Sequence, residues 1–364
     1  MKYDYLIVGA GFAGSVMTER IASQLNKKIL IVEKRNHIGG NAYDEYDEHG
    51  ILIHKYGPHI FHTNSKKVFD YLSIFTEWRK YEHKVLANLN GELYPIPINR
   101  TTINGLYKKN FKKNKEVADY YNRVKIKRHP IKNSEDVIVN KIGIDLFEKF
   151  YKNYTIKQWN LEANQLAPSV CGRIPVRTNE DDRYFTDKYQ FMPKDGYTKM
   201  FEKMLSHKNI KILLNTDYKT VIRNIKFDKM IYTGPIDFFF DYKFGKLPYR
   251  SIRFEWKNFN KEYYQQTAQI NYVDDSVKYS RVVEHKYLSA HKSKSTTLSF
   301  EYPQIVGEPF YPIPNAKTKK LYLQYKNEIK KVNDIIFCGR LAEYKYYNMD
   351  QVVANTLKIF EKLK

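Results

Sequence analysis

The chain has 364 residues, of which 42% are hydrophobic, and a formal net charge of +22 at pH 7. The length favours more than one domain, and the composition excludes a disordered chain. We expect no membrane-spanning helix, because no apolar run approaches about 20 residues, and no secretion signal, because the first apolar run belongs to a glycine motif. Cys171 and Cys338 are far apart, which argues against a disulfide framework or a metal site and favours a reducing cytoplasm.

The predicted elements begin with alternating strand and helix, which is typical of a parallel sheet. Residues 3–10 predict a strand, 12–25 a helix and 27–34 a second strand. Residues 84–98 then predict a β-hairpin that turns at Asn90-Gly91.

The middle of the chain predicts helices and its last part predicts strands. Ser134 and the two carboxylates after it predict the start of a helix. Its apolar face follows an i+4 spacing: Ile138, Ile142, Leu146, Phe150 and Tyr154. Strand-like stretches dominate residues 225–312, and a strand at 334–339 with a helix at 348–362 restores the α/β pattern.

Lysine supplies most of the positive charge, concentrated in residues 106–116 and 123–133. A groove for a polyanion is one interpretation, but the sequence shows no zinc-finger spacing, RNP-like run or basic region with heptads. We therefore favour solvated lysine-rich faces and expect no nucleic-acid partner. A substrate carrying phosphates would benefit from the same positive field.

A glycine motif after the first strand predicts a dinucleotide site. Gly9, Gly11 and Gly14 form GxGxxG between a strand and a helix, so the turn is tight and free N–H groups face the pyrophosphate. Glu33 ends the second strand nineteen residues after Gly14, where an acidic side chain accepts hydrogen bonds from ribose hydroxyls.

The segment "EKRNHIGGNAY", residues 33–43, favours a flavin over a nicotinamide. It resembles the extended nucleotide motif of the glutathione-reductase and amine-oxidase class of FAD proteins. That resemblance implies that Gly39 and Gly40 let the chain fold back along FAD and that Arg35 approaches its phosphates. The alternative is an ordinary Gly-Gly loop with a solvated arginine.

Four further blocks resemble the UDP-galactopyranose mutase family: "HKYGPHIFHTN" (54–64), "YTIKQW" (154–159), "GRIPVR" (172–177) and "GRLAEYKYYNMDQ" (339–351). Supporting matches occur in order along the chain, at 184–200, 231–251 and 279–285. The resemblance implies an isomerase that interconverts UDP-galactopyranose and UDP-galactofuranose. It further implies that the N5 atom of reduced FAD attacks the anomeric carbon, so that the cofactor supplies the nucleophile.

The family pattern also implies the domain organisation of an α/β protein with a discontinuous Rossmann-like FAD-binding domain, a helical insert domain and an antiparallel β-sheet domain. We predict these borders: 1–82, 193–224 and 313–364 for the FAD-binding domain; 83–100, 183–192 and 225–312 for the β-sheet domain; 101–182 for the helical domain with a mobile substrate loop. A cytoplasmic homodimer that supplies cell-surface polysaccharide biosynthesis is expected on the same ground.

Matching positions imply the site residues. Those expected to act in catalysis are Arg173, Arg281, Tyr346, Tyr311, His62 and His59. Those expected to bind UDP-hexose are Tyr154, Trp159, Arg173, Tyr184, Arg250, Arg281, Tyr311 and Tyr346. Those expected to bind FAD are Gly9, Gly11, Phe12, Gly14, Glu33, Lys34, Arg35, Gly39, Gly40, Asn41, His59, Ile60, Arg340, Tyr346, Asn348 and Met349. Arginines suit a diphosphate because one guanidinium donates to two oxygens at once.

Each of these residues also has a purely structural interpretation. An arginine is more often a surface residue, a tyrosine more often packing, and a histidine more often a satisfied core residue. Several positions depart from the family: Asn348 replaces an aspartate, His83 replaces an asparagine near the sugar, and Phe191 and Asp195 are bulkier than the family pattern in their turn. The sugar pocket could therefore accept UDP-N-acetylgalactosamine as well. The alternative function is an FAD-dependent amine oxidase or desaturase, whose cleft has no need of a diphosphate clamp.

Overall fold

The computed structural model describes residues 2–364. Its strands are β1 (Lys2–Val8), β2 (Ile29–Val32), β3 (Asp44–Tyr46), β4 (Leu52–His54), β5 (Phe61–Thr63), β6 (Trp78–Lys80), β7 (Val85–Leu89), β8 (Glu92–Ile96), β9 (Tyr189–Pro193), β10 (Ile210–Leu213), β11 (Lys226–Tyr232), β12 (Tyr249–Phe259), β13 (Gln269–Tyr272), β14 (Arg281–Glu284), β15 (Thr296–Gln304), β16 (Tyr311–Pro312) and β17 (Ile335–Phe337). Its α-helices are α1 (Phe12–Leu25), α2 (Lys66–Leu72), α3 (Arg100–Tyr107), α4 (Asn114–Val124), α5 (Ser134–Phe147), α6 (Asn153–Trp159), α7 (Ser169–Gly172), α8 (Gly196–Met204), α9 (Tyr218–Val221), α10 (Ile236–Phe239), α11 (His285–Ser289), α12 (Ala316–Ile329) and α13 (Met349–Glu361).

A five-stranded parallel sheet with the order β10-β2-β1-β11-β17 forms the nucleotide-binding unit. The four residues of β2, Ile-Leu-Ile-Val, are all buried, as expected of a parallel strand that is covered on both faces. One face packs against α1 and α13, and Tyr218 of α9 packs on the other. The glycine turn therefore lies at the carboxyl edge of the sheet, where open α/β sheets bind their ligands.

A seven-stranded sheet with the order β16-β12-β15-β14-β13-β7-β8 forms a second layer. Its pairings are antiparallel, except that β13 runs parallel to β7. The predicted hairpin is present as β7 and β8. Both turn residues have positive φ, 53° at Asn90 and 89° at Gly91, as a two-residue primed turn requires.

The helical layer packs α4 and α5 against this hairpin, and its apolar face is the predicted one. Ile138, Ile142, Leu146 and Phe150 are buried together with residues of β7 and β8. The helix is not continuous, however, because Gly143 has φ 81° and ψ 177°, and a Cβ there would lie 2.3 Å from the carbonyl oxygen of Val124.

The start of α5 differs from the prediction by one residue. The side chain of Asn133 accepts the N–H of Asp136 at 2.9 Å and so caps the helix. The hydroxyl of Ser134 instead donates to the carbonyl of Ala167 at 2.7 Å. An amide one residue earlier therefore takes the capping position, and the serine ties the helix to the 162–169 segment.

The α/β fold class with a Rossmann-like domain is confirmed, but β11 lies elsewhere than the predicted borders imply. A border at residue 225 assigns β11 to the antiparallel domain, whereas β11 pairs in parallel between β1 and β17. The last three residues of β11, Met-Ile-Tyr, are buried in the parallel sheet. The sequence did not indicate this placement, because residues 225–312 are rich in strand-like stretches throughout. β9 pairs with β5 and β6 in a separate three-stranded sheet. The remaining borders stay a proposal.

Candidate active site

A cavity of about 1550 Å³ opens at the carboxyl edge of the parallel sheet and continues between the helical layer and the seven-stranded sheet. All predicted site residues line it except two. Gly14 lies in α1 behind the glycine turn, and Tyr154 packs beside the helical core. The structure thus brings together segments that are more than 300 residues apart in sequence, from Gly9 to Met349.

The glycine turn leaves no room for a side chain at Gly9 or Gly14. A Cβ at Gly14 would lie 1.9 Å from the carbonyl oxygen of Gly9, and Gly9 itself has φ 100°. A Cβ at Gly40 would lie 2.8 Å from Cα of Gly11, so the loop that carries Gly39 and Gly40 lies directly on the turn. These close approaches expose backbone along the cavity wall, which fits a bound pyrophosphate.

Glu33 is held at the end of β2 with both of its oxygens oriented. The carboxylate accepts the N–H of Ala10 at 2.8 Å and the N–H of Arg35 at 2.9 Å. Each carboxylate oxygen keeps a further lone pair, so the side chain can still accept from ribose hydroxyls. This arrangement fits the predicted dinucleotide.

Lys34 and Arg35 form ion pairs with Glu308. Nζ of Lys34 lies 2.9 Å from both Glu308 oxygens, and Nη2 of Arg35 lies 3.2 Å from one of them. The guanidinium carbon of Arg35 is also 4.2 Å from the centroid of the Tyr56 ring. The 305–310 segment, which lines the cavity, is therefore tied to the end of the site where Glu33 lies.

The remaining predicted cofactor residues lie along the same cavity. Those that line it are Phe12, Asn41, Ile60, Arg340, Asn348 and Met349. Asn348 precedes α13, and its N–H donates to the side chain of Gln351 at 3.0 Å. The N-terminus of α13 thus faces the cavity and adds partial positive charge there.

Arg173 and Tyr346 meet at the other end of the cavity. Nη1 of Arg173 donates to the Tyr346 hydroxyl at 2.6 Å, and the guanidinium carbon is 4.8 Å from the ring centroid. Burial alone would raise the pKa of Tyr346, but Arg173, Arg340 and Arg281 outweigh it and lower that pKa below its ordinary value. The hydroxyl therefore sits in a strongly positive field.

Arg281 is paired with Glu301, a residue that the sequence analysis missed. Nε of Arg281 donates to Glu301, and Nη2 donates to the Tyr311 hydroxyl at 3.3 Å. Glu301 is fully buried on β15; burial raises its pKa and Arg281 acts in the opposite direction. Its other oxygen, Oε1, has no hydrogen-bond partner within residues 2–364. The sequence feature that could have pointed to Glu301 is an acidic residue at a position of β15 that the strand alternation places inward.

Trp159 and Arg250 meet at the end of α6. Trp159 is buried, with its ring centroid 6.3 Å from those of Tyr311 and Tyr346. Nε of Arg250 donates to the carbonyl of Gln158 at 2.9 Å and so holds the end of the helix that carries the tryptophan. Nη1 of Arg250 is buried and has no hydrogen-bond partner among the described residues, although the residue lines the cavity.

His62 lies in the cavity wall with partners that the sequence analysis also missed. Nδ1 of His62 is 2.8 Å from Asp187, and its ring stacks on Phe185 at 3.6 Å between centroids. A carboxylate only accepts, so Nδ1 carries a proton. His83 is nearby: the Tyr81 hydroxyl lies 3.1 Å from its Nδ1, and burial lowers its pKa to about 3.

His59 is also in the wall, and burial lowers its pKa to about 3. Across residues 2–364, no group of three or more histidine, cysteine, aspartate or glutamate side chains is arranged to hold a metal ion. In the same range, every helix is too short or too polar to cross a membrane.

The fold and the cavity define a Rossmann-type dinucleotide-binding enzyme whose cleft also presents several arginines. Residues 7–75 match the model of an NAD(P)-binding Rossmann-like domain, and residues 149–346 match the UDP-galactopyranose mutase model. The chain belongs to the UDP-galactopyranose mutase family, which confirms the resemblance seen in the sequence. Membership implies a flavin cofactor and supports the isomerase function over the oxidase alternative.

Relatives and a solved structure extend this similarity over the whole chain. A protein of Klebsiella pneumoniae described as a probable UDP-galactopyranose mutase is 37% identical, over 98% of this chain and 93% of its own length. The dTDP-fucopyranose mutase of Escherichia coli is 34% identical, over 97% and 96%. A crystal structure of reduced UDP-galactopyranose mutase has a TM-score of 0.79 at 15% identity, covering 100% of this chain and 94% of the other.

Proposed function

We propose that this enzyme interconverts the six- and five-membered ring forms of a UDP-hexose, with UDP-galactose as the expected sugar nucleotide and reduced FAD as the cofactor. The observation that carries the proposal is the pair of arginine–tyrosine contacts at one end of the cavity, Arg173 with Tyr346 and Arg281 with Tyr311. Two guanidinium groups and two phenols offer the donors that a diphosphate requires.

The side chains themselves bind and orient rather than form bonds. Arg173 and Arg281 neutralise the diphosphate, which stabilises UDP both when it is attached to the sugar and when it has left. The hydroxyls of Tyr311 and Tyr346 donate to the same oxygens. Trp159 lies beside both phenols and offers an aromatic face to the uracil, a contact of about 1–3 kcal/mol by analogy with other base-stacking sites.

The cofactor end of the cavity fits FAD on two grounds. The contact between Gly40 and Gly11 leaves backbone open to a pyrophosphate, and Glu33 keeps free lone pairs for a ribose. When bound and reduced, the flavin supplies the nucleophile that the protein side chains lack. His59, His62 and Arg340 are the residues we assign to the ring end of the cofactor.

The direct test is conversion of sugar nucleotides by the purified enzyme after reduction with dithionite. UDP-galactofuranose is offered first, and the pyranose product is separated by chromatography. UDP-N-acetylgalactofuranose tests whether the departure at His83 lets the enzyme accept an N-acetylated sugar. One relative bears the name dTDP-fucopyranose mutase, so dTDP-fucofuranose tests whether the enzyme accepts a nucleotide other than UDP. The proposal fails if the reduced, flavin-loaded enzyme leaves both UDP-sugars unchanged, whether or not it converts dTDP-fucofuranose.

Variants then test the assignment of the clamp. Arg173→Ala is expected to lower turnover at least 100-fold while flavin stays bound, because Arg173 lies at the substrate end. Arg253→Ala is the matched control, since Arg253 is half exposed on β12 and pairs with Glu255. Equal activity of the two variants contradicts the assignment.

We further propose a cytoplasmic homodimer that does not recognise nucleic acid by sequence. The support is the family resemblance together with Cys171 and Cys338, which are both buried free thiols. Light scattering gives the mass in solution, and cell fractionation gives the location. Base-specific DNA or RNA binding that survives high salt would contradict the absence of sequence-specific nucleic-acid recognition, because nonspecific binding to a basic protein is lost as salt is added.

A further inference from the structure

His59 in the cavity wall and two buried histidines behind it form a chain of hydrogen bonds from backbone N–H groups to ring nitrogens. His54 ends β4, His285 begins α11, and His59 lies in the loop between β4 and β5. Both His54 and His285 are buried, at 2% and 0% exposure. The contact between His54 and His285 does not follow from a local sequence pattern, since the two residues are 231 positions apart.

The hydrogen-bond partners fix the position of each proton. The backbone N–H of His54 donates to Nδ1 of His285 at 3.1 Å, so that nitrogen is an acceptor and Nε2 of His285 carries the proton. Nε2 accordingly donates to the hydroxyl of Ser299 at 2.9 Å. In the same way, the backbone N–H of His59 donates to Nδ1 of His54 at 3.1 Å.

His59 has the opposite tautomer. Its Nδ1 is 2.9 Å from the carbonyl oxygen of Gly57, which only accepts, so Nδ1 carries the proton. Nε2 of a neutral ring is then a bare acceptor, and it has no hydrogen-bond partner in the described part of the chain. Burial lowers the pKa of His59 to about 3, and Arg340 and Arg281 act in the same direction, so the ring stays neutral near pH 7.

The loop that carries His59 is held on both sides. Gly57 has φ 86°, its N–H donates to the carbonyl of His54 at 3.2 Å, and a Cβ there would lie 3.1 Å from Oε1 of Glu301. Ser299 and Glu301 are alternate residues of β15 and so face the same side of the sheet. The strand therefore supports both the histidine chain and the pair formed with Arg281.

We propose that His54 and His285 are positioning residues that fix His59 with its Nε2 as a hydrogen-bond acceptor facing the cavity. The ligand that this nitrogen takes is an N–H or O–H donor of the bound flavin or sugar. The carbonyl of Gly57 determines the tautomer of His59, whereas His54 holds the backbone N–H of His59 and His285 holds that of His54. The proposal rests on the proposed function only in identifying that ligand.

The first experiment is ¹⁵N NMR of histidine-labelled full-length protein, with bound flavin and no substrate. Protonated and unprotonated ring nitrogens have well-separated shifts, and loss of one signal set in His59→Gln assigns the His59 ring. We expect neutral His54 and His285 with the proton on Nε2, and neutral His59 with the proton on Nδ1. A charged His59 ring at pH 7, or one protonated on Nε2, overturns the proposal.

The second experiment compares His54→Asn with His54→Phe by hydrogen exchange of residues 57–60. Asparagine places a carbonyl near the position of Nδ1 and still accepts the His59 N–H, whereas phenylalanine fills the volume without an acceptor. We expect the amide protons of residues 57–60 to exchange at least tenfold faster in the Phe variant than in the Asn variant. If Nε2 of His59 contacts an N–H of the reduced flavin ring, the flavin midpoint potential should also be lower in the Phe variant.

Equal exchange in both variants and the wild type overturns the role of His54. If His54→Phe does not fold, the NMR measurement on the unmodified chain still decides the tautomers. Neither measurement uses UDP-hexose, so failure of the proposed isomerisation and failure of the histidine chain give different results.

Discussion

Removal of Arg281 should leave a buried carboxylate without its counter-ion. Glu301 is 0% exposed, and the Arg281 side chain is 16% exposed. Breaking a buried pair by deleting one partner costs about 3–5 kcal/mol, because the remaining charge keeps its desolvation penalty. Glu301→Gln keeps the shape and removes that charge, so the double variant should be more stable than Arg281→Ala alone.

Measurements of UDP binding should further distinguish the effects of substituting Arg281 and Glu301. Arg281→Ala loses charge-assisted hydrogen bonds worth about 1.5–3 kcal/mol, which is roughly a 10- to 100-fold loss in UDP affinity. Glu301→Gln leaves the guanidinium in place and removes a competing anion, so UDP should bind at least as tightly as to the wild type. Turnover should still fall, because Glu301 orients Arg281.

The assay combines urea unfolding midpoints of the four proteins with calorimetric titration of UDP. In Arg281→Ala the pKa of Glu301 rises further, so the folded state holds a proton that the unfolded chain releases above about pH 4.5. Stability of this variant should therefore decrease from pH 5 to 8, whereas the double variant should not show that slope. The reasoning is refuted if Arg281→Ala matches the wild type in midpoint and UDP affinity.

Three further changes test other parts of the structure. Gly14→Ala should abolish flavin binding, since its Cβ would lie 1.9 Å from the carbonyl of Gly9. Gly105→Ala, whose nearest neighbour is the Tyr94 ring at 3.3 Å and which lies outside the cavity wall, should retain the flavin absorbance. Glu308→Gln should speed flavin release about 1.5- to 5-fold in a fluorescence assay, because it unties the 305–310 segment of the cavity wall from Lys34 and Arg35 and a part-exposed pair contributes about 0.2–1 kcal/mol. Burial lowers the pKa of Lys157 to about 8 from 10.5, so the unfolded state binds more protons than the folded state between pH 8 and 10.5. The stability of the wild type should therefore rise with pH over this range relative to that of Lys157→Met, as measured by urea unfolding midpoints.

The glycine turn was predictable because its chemistry is local. Gly9, Gly14 and Glu33 act through backbone conformation and strand ends within one βαβ unit, and the spacing alone predicts the cradle that the structure shows. The hairpin turn at Asn90-Gly91 was predictable for the same reason, since left-handed backbone there selects these residue types.

The partners of the site residues were not predictable in this way. Asp187 meets His62 across 125 residues of sequence, and Glu301 meets Arg281 on adjacent strands. Such contacts depend on strand register and sheet order, which a single sequence does not specify. The predicted placement of β11 was wrong for a related reason. The sequence of β11 resembles that of the antiparallel strands that follow it, and only its pairing shows which sheet it joins.

The net charge of the chain says less about binding than the placement of its carboxylates. At one end of the cavity, Glu308 pairs with both Lys34 and Arg35, and Glu33 is tied to backbone N–H groups, so two carboxylates face two cations. At the other end, Arg173 faces the phenol of Tyr346, and Arg340 lies 5.9 Å from the Tyr311 ring centroid. The excess positive charge therefore concentrates at this second end, where Arg173, Arg281 and Arg340 surround Tyr346 and Glu301 pairs with only one of them. A cleft arranged in this way attracts a diphosphate whatever the charge of the outer surface, because its field acts in a partly buried site that salt screens weakly.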